Sequence, residues 1–96
     1  MELCIIGEFR ARAGKEREVE AAILEVLPQS RSEAACLAIS AFRSNRNAAQ
    51  FFIHSRWRDE ASFEAHAALP HTVEFLATLK PLLTHEVEVA RLTQIA

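Results

Sequence analysis

The sequence predicts an α+β domain of the ferredoxin-like βαββαβ class, an antiparallel sheet with its helices on one face. Three observations lead there. A chain of 96 residues has room for one domain, read here as residues 1–96. Apolar residues recur at strand spacing, then helix spacing, then strand spacing twice, then helix and strand spacing once more. With one right-handed crossover in each half, that order builds a split βαβ sheet with the first strand central and the second at an edge.

Residues 2–12 (ELCIIGEFRAR) read as a strand that stops at the Ala13-Gly14-Lys15 turn. Gly7 inside it marks either a bulge or a point of close ligand approach. Over residues 15–32, Val19, Ala22, Ile23, Val26 and Leu27 recur at helical spacing, and Lys15, Glu16, Arg17, Glu18, Glu20 and Glu25 fill the other face. Pro28 is expected to end this helix or kink its last turn. Residues 35–44 and 50–58 read as strands joined through Asn45-Arg46-Asn47-Ala48. Asp59 is placed to cap a helix that starts at Glu60 and carries Phe63, His66 and Ala67 on one face. Pro70 is placed to open a second helical segment through Leu83, turning Val73, Leu76 and Leu79 inward. Residues 85–95 alternate again and read as the last strand.

Composition excludes several classes of function. Half the residues are hydrophobic, with only two glycines and three prolines, which excludes disorder, collagen-like sequence and linker. Eleven Lys+Arg against thirteen Asp+Glu leave a net charge of −2, too little to gather nucleic acid or an anionic membrane. The N-terminus has an acid, Glu2, where a secretory leader has a basic segment, and no run approaches the ~20 apolar residues of a membrane span. A cytoplasmic protein is expected. Cys4 and Cys36 form no CxxC and fall on strands that are not neighbours, so both are expected as reduced thiols. Two glycines cannot build a phosphate loop or a dinucleotide fingerprint, so no cofactor is expected. Tyrosine is absent, so any phenol chemistry must come from a substrate.

The strands are apolar on both faces. Leu3-Cys4-Ile5-Ile6 and Phe51-Phe52-Ile53 leave no wet side, whereas an antiparallel sheet exposed on one face should alternate. Two helices cover one face and no loop is long enough to cover the other. A homodimer, with two sheets facing each other under a two-fold axis, is the expected arrangement.

His54, Trp57, His66, His71 and His85 fall close together in the second half of the chain. On the third strand Phe51, Ile53, Ser55 and Trp57 share one face, and Phe52, His54 and Arg56 the other. His66 is a polar group on a helix face that otherwise seeks the core. It is either a core histidine satisfied by a backbone carbonyl, or it projects into a pocket between helix and sheet with Trp57 as an aromatic wall. A metal site is not expected: Pro70 lies between His66 and His71 and breaks the i, i+4 spacing of a helical pair, and Glu64 and Glu74 fall on the solvent side. Neither cysteine has a base in sequence to activate it.

The run Phe51-Phe52-Ile53-His54-Ser55-Arg56-Trp57-Arg58-Asp59-Glu60-Ala61-Ser62-Phe63-Glu64-Ala65-His66, followed by Leu69-Pro70-His71, resembles the signature of the antibiotic biosynthesis monooxygenase family. Ala13-Gly14-Lys15-Glu16 and Ser30-Arg31-Ser32-Glu33-Ala34-Ala35-Cys36-Leu37 match earlier pieces of it. The resemblance implies a dimeric α+β barrel. Many such proteins are cofactor-independent oxygenases of quinols or polycyclic phenols, others degrade haem, and some isomerise a small sugar phosphate. Two departures stand out. Ser55 occupies the place of the family's usual Glu before x-Trp, and Glu33-Ala34-Ala35-Cys36 that of Glu-Pro-Gly-Cys. The Asn, Trp and His of the haem degraders fall on Gly7, His66 and Leu76, and an apolar axial position argues against haem.

What the resemblance implies for chemistry is an oxidation by O2 in which an aromatic substrate is the electron donor. His66 would be the base that takes a phenolic proton, since imidazole changes charge near neutral pH. Phe9, Trp57, Phe63, His71 and Phe75 would bind the ring and exclude water, and Ser55 would donate to the developing oxyanion. Two alternatives remain: an isomerase or tautomerase in which His66 shuttles a proton without O2, and a non-catalytic ligand-binding dimer.

Overall fold

The computed structural model describes all of residues 1–96: β1 (Leu3–Arg10), α1 (Glu16–Arg31), β2 (Cys36–Arg43), β3 (Gln50–Trp57), α2 (Glu60–Ala67), α3 (Pro70–Leu79), a 3₁₀ turn (Lys80–Leu82) and β4 (Glu88–Leu92). The four strands form one antiparallel sheet in the order β2-β3-β1-β4, so the first strand is central and the second is at an edge. This is the expected ferredoxin-like α+β arrangement. The sheet stays open. No helix is long and apolar enough to cross a membrane.

Register decides which residues meet the helices. β1 pairs with β3 from Leu3↔Trp57 to Arg10↔Gln50, which puts Ile5 beside Ser55 and Gly7 beside Ile53 on one face. Under α1 and α3 this face builds a core of Phe9, Ala11, Val19, Ile23, Leu27, Ile39, Phe51, Leu79 and Leu83. On the opposite face Ile6 pairs with His54, Phe52 pairs with Phe42, and Leu92 pairs with Cys4. No helix packs there, and Phe42 is 54% exposed.

Five expectations need correction. Gly7 is not a bulge, since both ladders pass through it as Gly7↔Ile53 and Gly7↔Val89; the irregularity lies between Cys36 and Ala38. Of the two outcomes expected of Pro28, ending the helix does not occur: α1 continues to Arg31, with Val26, Leu27 and Ser30 buried in its last turns. The second helical segment does not run unbroken to Leu83: α3 stops at Leu79 and tightens into the 3₁₀ turn, where Pro81 cannot donate an α-helical bond. Its inward stripe is Thr72, Phe75 and Leu79, with Leu76 on the same side at 41% exposure, while Val73 turns outward at 54%. The last strand is shorter than 85–95, because β4 lies at the sheet edge and pairs with β1 only from Glu88 to Leu92.

Candidate functional site

The site grows from the end of β3. Trp57 is fully buried on the helix-facing side, and its indole N–H donates to Ser55 Oγ at 2.9 Å. That bond satisfies the indole in the interior and leaves the Ser55 O–H free to donate elsewhere. One residue past Trp57 and Arg58, Asp59 caps α2 by accepting from the Ser62 N–H at 2.8 Å and the Ser62 hydroxyl at 2.6 Å. These bonds hold the Asp59 carboxyl below the usual carboxylate range. The cap sets the angle of α2, whose inner face lays Phe63 and His66 on Trp57, with ring centroids 5.9 and 4.3 Å away.

α2 ends after Ala67, and Pro70 opens α3 two residues beyond Ala68. The proline breaks helical spacing as expected, yet the corner it makes brings the His71 ring to within 6.1 Å of the His66 ring. Between the two lies Glu33, from the turn between α1 and β2. One of its oxygens, Oε2, sits 2.8 Å from His66 Nδ1 and 2.8 Å from His71 Nε2. Thr72 Oγ1 lies 3.4 Å from the same His66 nitrogen. The side chains of His66, Glu33 and His71 are only 12, 14 and 19% exposed.

An ionised carboxylate only accepts, so both facing nitrogens carry the hydrogen. A neutral His66 facing an ionised Glu33 carries its hydrogen on Nδ1, and Nε2, which has no hydrogen bond within the chain, then keeps a lone pair.

His66 lines a cavity of about 480 Å³ between the sheet and the helices. Ile5, Gly7, Phe9, Ile53 and Ser55 form its floor, Val26 and Ser30 come from α1, and Phe63, Phe75 and Leu76 close the helical side. The volume suits an aromatic molecule of one or two rings, within the ~300–1,000 Å³ common for small-ligand sites. Gly7 keeps the floor low: a Cβ there would lie 3.3 Å from the Phe9 ring. At the rim, Arg91 lies 5.2 Å over the Phe63 ring and pairs with Glu60 at 2.9 Å and Glu64 at 2.5 Å.

Of the residues singled out in the sequence, Phe9, Ser55, Phe63, His66 and Phe75 meet around this cavity. Trp57 does not form its wall; the ring is completely buried and backs His66 from behind. His71 lies in a separate cleft of about 100 Å³ beside Ala22, Glu25 and Glu74, and reaches the site only through Glu33. The polar partner of His66 is a carboxylate rather than a backbone carbonyl. Sequence reasoning missed Glu33, Ser30, Thr72 and Arg91 as site residues. For Glu33 a signal existed, because it is the acid of the segment matching Glu-Pro-Gly-Cys.

Cys4 and Cys36 are both free. Burial pushes the Cys36 thiol above its ordinary range, and the Glu33 charge adds to the shift. A thiol held protonated is a poor nucleophile.

A family profile described as "Antibiotic biosynthesis monooxygenase" matches residues 3–78. No curated protein matches the chain. Among solved structures, PA3566 from Pseudomonas aeruginosa is 26% identical, with a TM-score of 0.92 over 99% of this chain and 95% of that one. Rv0793 from Mycobacterium tuberculosis is 21% identical, with a TM-score of 0.94 over 100% and 97%. A structure named as an antibiotic biosynthesis monooxygenase is 19% identical, with a TM-score of 0.92 over 98% and 99%.

The Cys36 environment has a pH signature. In a Cys4→Ser variant, alkylation of Cys36 by iodoacetamide should reach half its maximal rate above pH ~8.5, the ordinary thiol value, and Glu33→Gln should lower that midpoint. The same shift means the folded chain holds the proton more tightly than the unfolded one. Its contribution to stability is thus complete below the unfolded-chain value and declines as pH rises through the folded one. A midpoint at or below that of free cysteine would contradict the assignment.

Proposed function

This chain belongs to the antibiotic biosynthesis monooxygenase family, and on that footing we propose that it is a cofactor-independent oxygenase of a quinol or phenol, with His66 as the base. Membership supports a monooxygenase-like role. The observation that carries the finer reading is the Glu33–His66 contact: it holds the ring proton on Nδ1, so that Nε2 is the basic atom of a largely apolar cavity.

The chemistry runs through the substrate. Phe9, Phe63 and Phe75 flank the ring, and a phenolic O–H gives its proton to His66 Nε2. The imidazolium formed is paired with Glu33, which offsets the cost of placing a charge where water is scarce. The Ser55 hydroxyl, already accepting from Trp57, donates to the substrate oxyanion. The anion passes one electron to O2, the resulting radicals join to form a C–O bond, and the O–O bond then breaks. For a quinol the balance is quinol + O2 → hydroxyquinone + H2O. One oxygen atom enters the ring, the other leaves as water, and the quinol supplies all four electrons. A carboxylate in place of Ser55, as in the family's usual pattern, would oppose an oxyanion beside it.

Residues 1–96 act as one domain in this proposal. Its support is β4, which lies beyond the matched segment 3–78 yet pairs with β1 in the same sheet. The family is commonly dimeric. We assign the uncovered face of the sheet, with Ile6, Phe42, Phe52 and Leu92, to a second copy of the chain. The unpaired cysteines suit a reducing cytoplasm.

Quinol-dependent O2 uptake tests the reaction. His66→Ala should lower kcat by about a hundredfold or more at unchanged far-ultraviolet circular dichroism. Unchanged kcat overturns the base role, and turnover without O2 consumption moves the reaction to proton-transfer isomerisation. Sedimentation tests the assembly. The wild-type chain of 10.8 kDa should sediment at twice that mass and Phe42→Glu should yield monomer; a wild-type monomer would remove the dimer.

A further inference from the structure

We infer that Glu33, His66 and His71 together form a binding site for a single divalent transition-metal ion of the zinc type, one that would silence His66 as a base. The inference goes beyond the oxygenase reading and does not depend on it. Two imidazoles and one carboxylate are the borderline nitrogen and oxygen donors that such ions prefer over magnesium or calcium. Glu33 Oε2, His66 Nδ1 and His71 Nε2 all lie within 4.8 Å of one another, and the oxygen is 2.8 Å from each nitrogen. Metal–ligand bonds of about 2.0–2.1 Å place neighbouring donors about 2.9 Å apart in octahedral and 3.3 Å apart in tetrahedral geometry. The oxygen–nitrogen separations of 2.8 Å match the octahedral value, and a tetrahedral ion needs each to open by about 0.5 Å.

The three donors are held by separate elements. The Glu33 backbone is pinned on both sides, its N–H donating to the Ser30 carbonyl at 3.1 Å and its carbonyl accepting from the Cys36 N–H at 3.0 Å. His66 is backed by the Trp57 ring at 4.3 Å, and His71 is fixed in the first turn of α3 by Pro70. A site organised before the ion arrives loses little conformational freedom on binding. The other group of possible ligands, Glu8, His85 and Glu88, has two exposed members and no comparable support.

Coordination and base catalysis exclude one another here. An ion on His66 Nδ1 takes the lone pair there, and a neutral ring must then carry its hydrogen on Nε2, the nitrogen proposed as the base. Each neutral imidazole only changes tautomer, so no proton need be released, and water completes the coordination shell. Zinc occupancy would convert the proposed base into a hydrogen-bond donor.

Titration calorimetry with ZnCl2 on the untagged Cys4→Ser/Cys36→Ser chain measures binding without reference to activity. One ion per chain should bind with a Kd of about 1 μM or below. Glu33→Gln and His71→Ala should each weaken it at least about tenfold, and His85→Ala should leave it unchanged. Co2+ in place of Zn2+ should give visible absorption bands that vanish in the His71→Ala variant. No binding by the parent chain, or equal binding by parent, Glu33→Gln and His71→Ala with all three folded, overturns the site. Loss of binding in His85→Ala alone would place the ion at the Glu8 group instead. If quinol-dependent O2 uptake is found, Zn2+ should inhibit it in the parent but not in His71→Ala. The binding arm stands whether or not that activity exists.

Discussion

One carboxylate oxygen shared between two imidazoles is the constraint on which the site depends. Glu33 Oε2 ties the turn after α1 to the end of α2 and the start of α3, more than 30 residues further along the chain. Hydrogen bonds to a charged group are worth about 1.5–3 kcal/mol each, and partial burial protects these from solvent screening. Removing the carboxylate would leave two half-buried imidazole N–H groups unpartnered. Because the contact also decides which ring nitrogen of His66 carries the hydrogen, structure and chemistry are set by the same bond.

The rest of the fold works to keep that contact beside an open volume. Gly7 leaves the sheet floor without a side chain, and the Phe9 ring lies across the space a Cβ would crowd. Trp57 is fixed by Ser55 and gives His66 a flat backing, so the imidazole cannot turn away from the cavity without losing its stack. Asp59 and Pro70, one at the start of α2 and the other at the start of α3, set the angles that make Phe63, His66 and His71 converge. The opposite face of the same sheet, which no helix of this chain covers, mixes Ile6, Phe42, Phe52 and Leu92 with Glu8, His54 and Arg56.

Element types and their order were legible because periodicity and capping chemistry are local: Asp59 announces α2, Pro70 announces α3, and the strand parity of Ser55 and Trp57 puts both on the buried side. Errors collected where tertiary packing outweighs local preference. Pro28 sits inside a helix whose last turn is buried, and the α3 stripe runs through Thr72 and Phe75 instead of Val73 because the corner at Ala68-Leu69 sets its rotation. Of the site, the cavity-lining aromatics and His66 could be read from helix and strand faces. Glu33 stood out only as the acid of the segment matching Glu-Pro-Gly-Cys; its distance to His66 is a long-range fact fixed by how the turn before β2 packs against the α2–α3 corner. The convergence of His66 and His71 was hidden for a related reason: a proline that ends helical spacing can still fold two side chains onto one acceptor.

The most direct measurement is the tautomer of His66, read from the ring nitrogens by long-range ¹H–¹⁵N correlation on the folded chain at a pH where the ring is neutral. The Glu33 contact predicts the Nδ1–H form, with Nε2 showing the shift of an unprotonated nitrogen, and loss of that preference in Glu33→Gln. A proton on Nε2 in the metal-free wild-type protein, or a tautomer indifferent to Glu33, would contradict it.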